Sequence, residues 1–123
     1  MNKIGVVVMW ACCLVACNSK QPQLAGVDLE RWKSDPHGCQ GLRKALLPVL
    51  WEQKNQTLGL SQNQVKALLG KPDRHELYER NQKFFLYYVE PDGTCPNAAT
   101  GAQALEIRFN AVGLSAEANL VQP

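Results

Sequence analysis

The spacing of apolar residues changes beyond Asp73 in this chain of 123 residues. Before that point they recur every three or four residues, as on one face of a helix, and after it they alternate with polar residues, as in half-buried strands. We predict strands over residues 76–79, 84–89, 104–109 and 114–121. Helices followed by antiparallel strands predict an α+β fold, in which two to three N-terminal helices pack on one face of a four-stranded antiparallel meander sheet.

The first helices are predicted from their capping residues. Asp28 can cap a short helix, and Asp35 before Pro36 marks the start of a longer one, because a carboxylate caps well and proline fits the first position. Pro48 should kink or end this longer helix, because proline removes one intrahelical hydrogen bond. Its predicted core-facing residues are Cys39, Leu42, Leu46, Val49 and Leu50.

The last helix has the clearest limits in the sequence. Ser61-Gln62-Asn63-Gln64 is a capping box, in which the first and last residues satisfy each other's backbone N–H groups. Gly70 can end the helix in a left-handed conformation, and Pro72 prevents its continuation. In the sheet, alternation predicts two core-facing rows. They are Leu105, Ile107 and Phe109 in the third strand, and Leu114, Ala116, Ala118 and Leu120 in the fourth.

The N-terminus has the pattern of a bacterial lipoprotein leader. Lys3 precedes a mostly apolar run, residues 4–16, which is too short for a hydrocarbon core that needs about 20 residues. Leu14-Val15-Ala16-Cys17 then matches a lipobox, so we predict cleavage before Cys17 and acylation of its thiol, with chains such as palmitate entering the bilayer. We assign residues 1–16 to the signal peptide, 17–27 to a lipidated flexible tether and 28–123 to a single domain.

The same stretch predicts the location. Asn18 follows Cys17 at the position where many diderm bacteria use aspartate to keep lipoproteins at the inner membrane. We therefore predict an outer-membrane anchor with the domain facing the periplasm.

The five cysteines divide by position. Cys12 and Cys13 fall in the leader, Cys17 is the lipid acceptor, and Cys39 and Cys95 remain in an exported chain, where a disulfide is expected. Two separate buried thiols are the alternative. The bridge would join the second helix to a loop, residues 91–97, that is rich in turn-forming residues.

Charge and motif content exclude several function classes. With 13 Lys and Arg against 11 Asp and Glu, the net charge of +2 argues against nucleic acid as a partner. His37 and Cys39 have no second ligand pair at zinc spacing and His75 stands alone, so no metal or cofactor is predicted. Glu76 and Glu79 fall on opposite faces of a strand. We assign no catalytic residue and predict that the protein is not an enzyme.

The hairpin between the first two strands is the predicted partner-contact surface. Arg80 and Lys83 could meet an acidic partner or anionic headgroups. Four aromatic rings within residues 84–88 exceed what one buried face needs, so Phe85 and Tyr87 are candidate contact residues. The alternatives are a solvated hairpin tip for the basic residues and a strand packed on both sides for the aromatic ones.

Several segments together resemble one known family. Residues 60–73 carry a helix that ends in Leu-Gly-x-Pro, Phe85-Leu86-Tyr87-Tyr88 forms an aromatic strand, and residues 105–114 form a strand and turn. With the lipobox, this set resembles the SmpA/OmlA (BamE-like) family of small outer-membrane lipoproteins over about residues 58–121. The resemblance implies two helices on a small antiparallel sheet and an accessory role in the machine that inserts outer-membrane β-barrels. The arrangement also resembles the β-lactamase-inhibitor-protein fold, which binds other proteins.

We therefore expect a non-catalytic scaffold or adaptor at the outer membrane, in protein assembly or envelope integrity. Its partners would be the bilayer, through acylated Cys17, and an envelope protein. The alternative is a disulfide-stapled inhibitor-like or ligand-binding module tethered to the membrane.

Overall fold

The computed structural model describes residues 22–78 and 82–123. The helices are α1 (Leu29–Lys33), α2 (Leu42–Glu52) and α3 (Gln62–Leu69), with 3₁₀ turns at Pro36–Gly38 and Lys54–Thr57. The strands are β1 (Arg74–Tyr78), β2 (Gln82–Tyr88), β3 (Ala104–Phe109) and β4 (Ser115–Val121). Each strand pairs antiparallel with the next, in the order β1-β2-β3-β4. The predicted α+β fold with a four-stranded meander is confirmed.

The main core lies between the helices and one face of the sheet. Trp32 of α1, Leu50 of α2 and Val65 of α3 are fully buried there against Phe85 and Ile107 of the sheet. Burial of a large apolar side chain contributes roughly 1.5–3 kcal/mol, so this cluster accounts for much of the driving force for folding. The opposite face carries a second, smaller buried cluster. It consists of Leu86, Tyr88 and Ala104, with Ala102 and Val121 packed against it.

Two of the predicted helix caps are confirmed. The Asp28 carboxylate accepts a hydrogen bond from the Arg31 backbone N–H at 3.1 Å at the start of α1. At the start of α3, the Ser61 hydroxyl accepts from the Gln64 N–H, and the Gln64 side chain accepts from the Ser61 N–H. Gly70 ends α3 at the predicted position, but its φ of 84° and ψ of −174° differ from the left-handed helical cap that we predicted.

The long helix that we predicted does not begin at Pro36; α2 begins at Leu42. His37, Gly38 and Gly41 have φ angles of 62°, 67° and 74°, so the chain turns here instead of continuing as a helix. Asp35 is fully buried and still acts as a cap, but for the later helix. Its carboxylate accepts from the backbone N–H groups of Gln40, Leu42 and Arg43 at 2.8, 2.9 and 3.2 Å.

The core-facing side of α2 also differs from the prediction. Its buried residues are Arg43, Leu47 and Leu50, whereas Val49 is 39% exposed. The helix passes through Pro48, which is exposed, and ends at Glu52. Because the buried polar residue Arg43 belongs to the inward row, apolar spacing alone places the helix face incorrectly.

A β-bulge changes the predicted faces of β4. Phe109 pairs with Ser115 although Arg108 pairs with Glu117, so the register shifts between them. Consequently Ser115 is buried and Leu114, predicted to face the core, is 40% exposed. The Ser115 hydroxyl is satisfied because it donates to the Thr57 carbonyl at 2.6 Å.

The packed part of the chain begins before the predicted domain boundary at residue 28. Leu24 is buried in the main core, and Val27 packs against it. The Ala25 N–H donates to the Gln53 side chain at 2.8 Å, which attaches this segment to the end of α2. The segment predicted as a tether therefore becomes part of the domain from Leu24 onward.

Gly38→Ala is expected to destabilise the fold more than Gly41→Ala. An L residue at such positive φ costs about 1–2 kcal/mol at either site. At Gly38 a Cβ would also lie 2.8 Å from the Glu90 carbonyl oxygen and 2.9 Å from that of Tyr88, whereas at Gly41 no described atom lies within 4 Å. Urea denaturation of both variants measures the difference, and equal losses would contradict the close packing at Gly38.

Candidate functional site

Phe85 and Tyr87 do not form a surface, so the prediction that they contact a partner is wrong. Both are completely buried in the main core. The ring centroids of Phe85 and Phe109 lie 4.7 Å apart, and the Tyr87 hydroxyl donates to the Gly70 carbonyl at 2.8 Å. Burial raises the pKa of Tyr87. Since Leu86 is buried on the opposite face, β2 is packed on both sides, the alternative that the sequence left open.

The two basic residues of the predicted partner-contact surface are Arg80 and Lys83. Lys83 is half-buried in β2, opposite Leu77 of β1, and Arg80 lies outside the described residues. Leu77 is 68% exposed and Val112, in the turn before β4, is 79% exposed. Leu77, Lys83 and Val112 line one surface depression of about 460 Å³. We call these three residues the sheet-end patch, because they place two exposed apolar side chains beside one half-buried lysine at this end of the sheet.

A buried ion pair lies at the other end of β2. Arg43 of α2 and Asp73 are both 2% exposed, with Nη1 of the arginine 2.6 Å from the carboxylate. Arg43 also donates from Nε to the Trp32 carbonyl at 3.0 Å and from Nη1 to the Tyr88 carbonyl at 3.2 Å. Its guanidinium carbon lies 5.3 Å from the Trp32 ring centroid, within the range of a cation–π contact. The guanidinium group of Arg43, which α2 carries, is therefore contacted by groups from both α1 and β2.

The carboxylate of this ion pair belongs to Asp73, which lies in the segment between α3 and β1. Besides Arg43, its carboxylate accepts from the His37 backbone N–H at 3.0 Å and from the Tyr88 N–H at 2.7 Å. These three donors come from three separate parts of the chain. This ion pair was not predicted from the sequence, although Arg43 lies in the same helical row as Leu47 and Leu50 and Asp73 directly follows a helix-stopping proline.

His37 links the Arg43–Asp73 ion pair to the loop before β3. Its ring Nδ1 lies 2.6 Å from the Asp92 carboxylate, which also accepts from the backbone N–H and hydroxyl of Thr94 at 2.8 and 2.6 Å. Burial opposes ionisation of Asp92, but the hydrogen bonds from Thr94 and His37 outweigh it and hold the pKa of Asp92 below its ordinary value. Asp92 thus accepts a hydrogen bond from the Nδ1–H group of His37 and thereby orients the imidazole ring.

The predicted disulfide between Cys39 and Cys95 is confirmed. Their Cα atoms lie 5.5 Å apart, and the bridge spans 56 residues of sequence. Cys39 is half-buried in the turn before α2, not on the helix face where we predicted it. The Asn97 side chain donates to the Cys39 carbonyl at 3.2 Å, which adds a second connection between the two loops.

A pocket of about 370 Å³ opens beside the buried ion pair. We call it the Arg43 pocket. Its walls come from the end of α1, the 3₁₀ turn, α2 and the segment after α3. The lining residues are Lys33, Pro36, His37, Arg43, Gly70, Lys71, Pro72 and Asp73. The pocket combines the cationic nitrogen donors of two lysines and one arginine with two proline rings, which suits a small anionic group.

Within residues 22–78 and 82–123, no group of three or more His, Cys, Asp or Glu side chains has an arrangement that could hold a metal ion. Within the same residues, no helix has the length and apolar character needed to cross a bilayer. The leader and Cys17 lie outside the described residues.

Comparison with protein-family models, with curated proteins and with solved structures found no match to this chain. The resemblance to the SmpA/OmlA family therefore stays a prediction from the sequence motifs.

Proposed function

We propose that this chain is a lipid-anchored protein of the bacterial envelope that acts as a non-catalytic adaptor. The observation that supports this most is the Cys39–Cys95 disulfide in a chain that begins with a lipobox pattern. Disulfides form and persist in oxidising compartments outside the cytosol, so a bridge is consistent with export. Acylated Cys17 would hold the protein at the outer membrane, with the domain in the periplasm.

The position of Leu24 limits how far the domain can lie from its anchor. Leu24 is the first described residue that is buried in the core. An extended chain from Cys17 to Leu24 spans at most about 25 Å. An acylated Cys17 would keep the domain close to the membrane surface and would make partners within the same membrane its nearest candidates.

The adaptor role is supported by the fold and by the sheet-end patch. Three helices on a four-stranded antiparallel meander are consistent with the architecture that the SmpA/OmlA resemblance implies. The sheet-end patch places two exposed apolar side chains beside one lysine, which favours a protein partner with an apolar surface and a neighbouring carboxylate. We propose that this partner is an envelope protein, in barrel assembly or envelope integrity.

The anchor is tested on the native protein produced in a diderm bacterium. We expect intact-mass analysis to show loss of residues 1–16 and addition of acyl chains at Cys17, and we expect the protein to enter the detergent phase on partitioning. Cys17→Ala should abolish both results. A native product that is unprocessed and not acylated would overturn the location and, with it, the adaptor role.

The partner surface is tested by crosslinking in cells. We expect Leu77→Glu combined with Val112→Glu to abolish the main crosslinked species without lowering the melting temperature, because both side chains are exposed. Val49→Glu, on α2 and outside the sheet-end patch, is the matched control. A crosslinked species that survives the double variant would exclude this surface. Recovery of one secreted hydrolase would instead favour the inhibitor-like alternative.

A further inference from the structure

Arg43 has a donor group that the described protein does not use. All three of its hydrogen bonds within residues 22–78 and 82–123 come from Nε and Nη1. Its Nη2 amino group is therefore available to an outside acceptor, although the side chain is only 2% exposed and lines the Arg43 pocket. The guanidinium is also fixed in place by Asp73, so no rotamer entropy is lost when a ligand binds it.

His37 contributes a fixed wall of the pocket. Its ring Nδ1 is engaged by Asp92, and the side chain, which is 35% exposed, lines the Arg43 pocket. Its backbone has a φ of 62°, a conformation that residues other than glycine adopt rarely and that occurs at functional sites. The hydrogen bond from its N–H to Asp73 and the adjacent disulfide hold this conformation.

Two lysines complete the lining. The methylene groups of Lys33 lie against Gly70, where a Cβ would come within 3.0 Å of Lys33 Cγ, so the lysine stem forms a pocket wall. Lys71 is exposed and also lines the pocket. Glu30 approaches the Lys33 ammonium at 3.8 Å, but it is 90% exposed and solvent screens that pair.

The charges around the pocket determine which anion fits. Three cations, Arg43, Lys33 and Lys71, face the carboxylate of Asp73 in the lining, with Asp92 behind His37. These carboxylates repel a phosphate monoester, which carries about −1.5 to −2, more strongly than a singly charged carboxylate, so a carboxylate fits the pocket better.

We propose that the Arg43 pocket binds a carboxylate group, with Arg43 Nη2 as the fixed donor, Lys33 and Lys71 as the flexible cations and the His37 ring as a fixed wall. The carboxylate comes from a small free acid or from an acidic side chain of a protein. The site does not depend on the lipid anchor or on the sheet-end patch, so its failure and that of the adaptor role are distinguishable.

The test is an NMR titration of the isotope-labelled full chain with N-acetylglutamate amide. We expect saturable shifts of the Arg43 Nε–H and His37 ring signals, with a dissociation constant on the order of 1–10 mM, as for a few charge-assisted hydrogen bonds. The uncharged N-acetylglutamine amide should cause none. Lys33→Ala and Lys71→Ala should each weaken binding about fivefold. Lys44→Ala, an exposed lysine outside the pocket, is the matched control, and Arg43 itself is not substituted because it supports the fold.

Four results would overturn the proposal. They are the absence of saturable shifts, equal shifts with the glutamine analogue, equal weakening by Lys44→Ala, and binding of inorganic phosphate or of phosphatidylglycerol vesicles but not of the carboxylate. A peptide of consecutive glutamates identifies the source. Binding at least about tenfold tighter than the blocked amino acid supports an acidic protein segment, and equal binding supports a small free acid.

Discussion

Asp73→Ala is expected to lower the free energy of unfolding by about 3–5 kcal/mol, because it leaves a buried guanidinium without its counter-charge. Asp73 also accepts from the backbone N–H groups of His37 and Tyr88, and the substitution leaves both without that acceptor. Arginine stays protonated in proteins, so Arg43 cannot relieve the loss by becoming neutral. Urea denaturation followed by circular dichroism measures the change.

The matched control is Glu117→Ala. Glu117 forms the same kind of pair, with Arg108 at 2.9 Å, but on the exposed surface of the sheet. Solvent screening makes the expected loss there much smaller than at Asp73. If the two variants lost the same stability, the buried pair would not be the centre that we describe. Combining Asp73→Leu with Arg43→Met should recover part of the loss, because it removes both charges together.

Removing the disulfide is the second substitution with a large expected effect. Cys39→Ser combined with Cys95→Ser should lower the free energy of unfolding by about 4 kcal/mol, the value that the chain-entropy model gives for a loop of this length. The loop closed by the bridge spans 56 residues and includes α2, α3, β1 and β2. Without the bridge, the unfolded chain gains the freedom of that whole segment.

Urea denaturation with and without a reducing agent tests this prediction. The native protein should lose stability in reductant, and the double serine variant should be insensitive to it. A loss below about 1 kcal/mol would show that native-state strain offsets the loop-closure effect. The bridge also holds the His37 turn against the loop that carries Asp92, so the variant should show altered His37 ring signals even where it remains folded.

The parts of the fold that were predictable have local causes. The capping box at Ser61, the stop at Gly70 and the alternation in β3 each depend on residues within one turn or one strand. The disulfide was also predictable, because only two cysteines remained once the leader and the lipid acceptor were assigned. Each of these predictions uses only neighbouring residues or residue counts, and both can be read directly from the sequence.

The parts that were not predictable depend on contacts between distant segments. The inward face of α2 contains Arg43 because its partner Asp73 lies 30 residues later. Leu114 turns outward because a bulge lets Ser115 reach Thr57, 58 residues earlier. Phe85 and Tyr87 are buried because the helices cover one side of β2, and a second cluster covers the other.

The sequence by itself therefore determined the order of helices and strands, the disulfide and the leader pattern, because periodicity, caps and residue counts are local. The tertiary structure alone decided which surface is free and where the Arg43 pocket lies. A buried charge or a bulged residue is stable only where a donor or acceptor from a distant segment contacts it. Such contacts form only when the chain has folded.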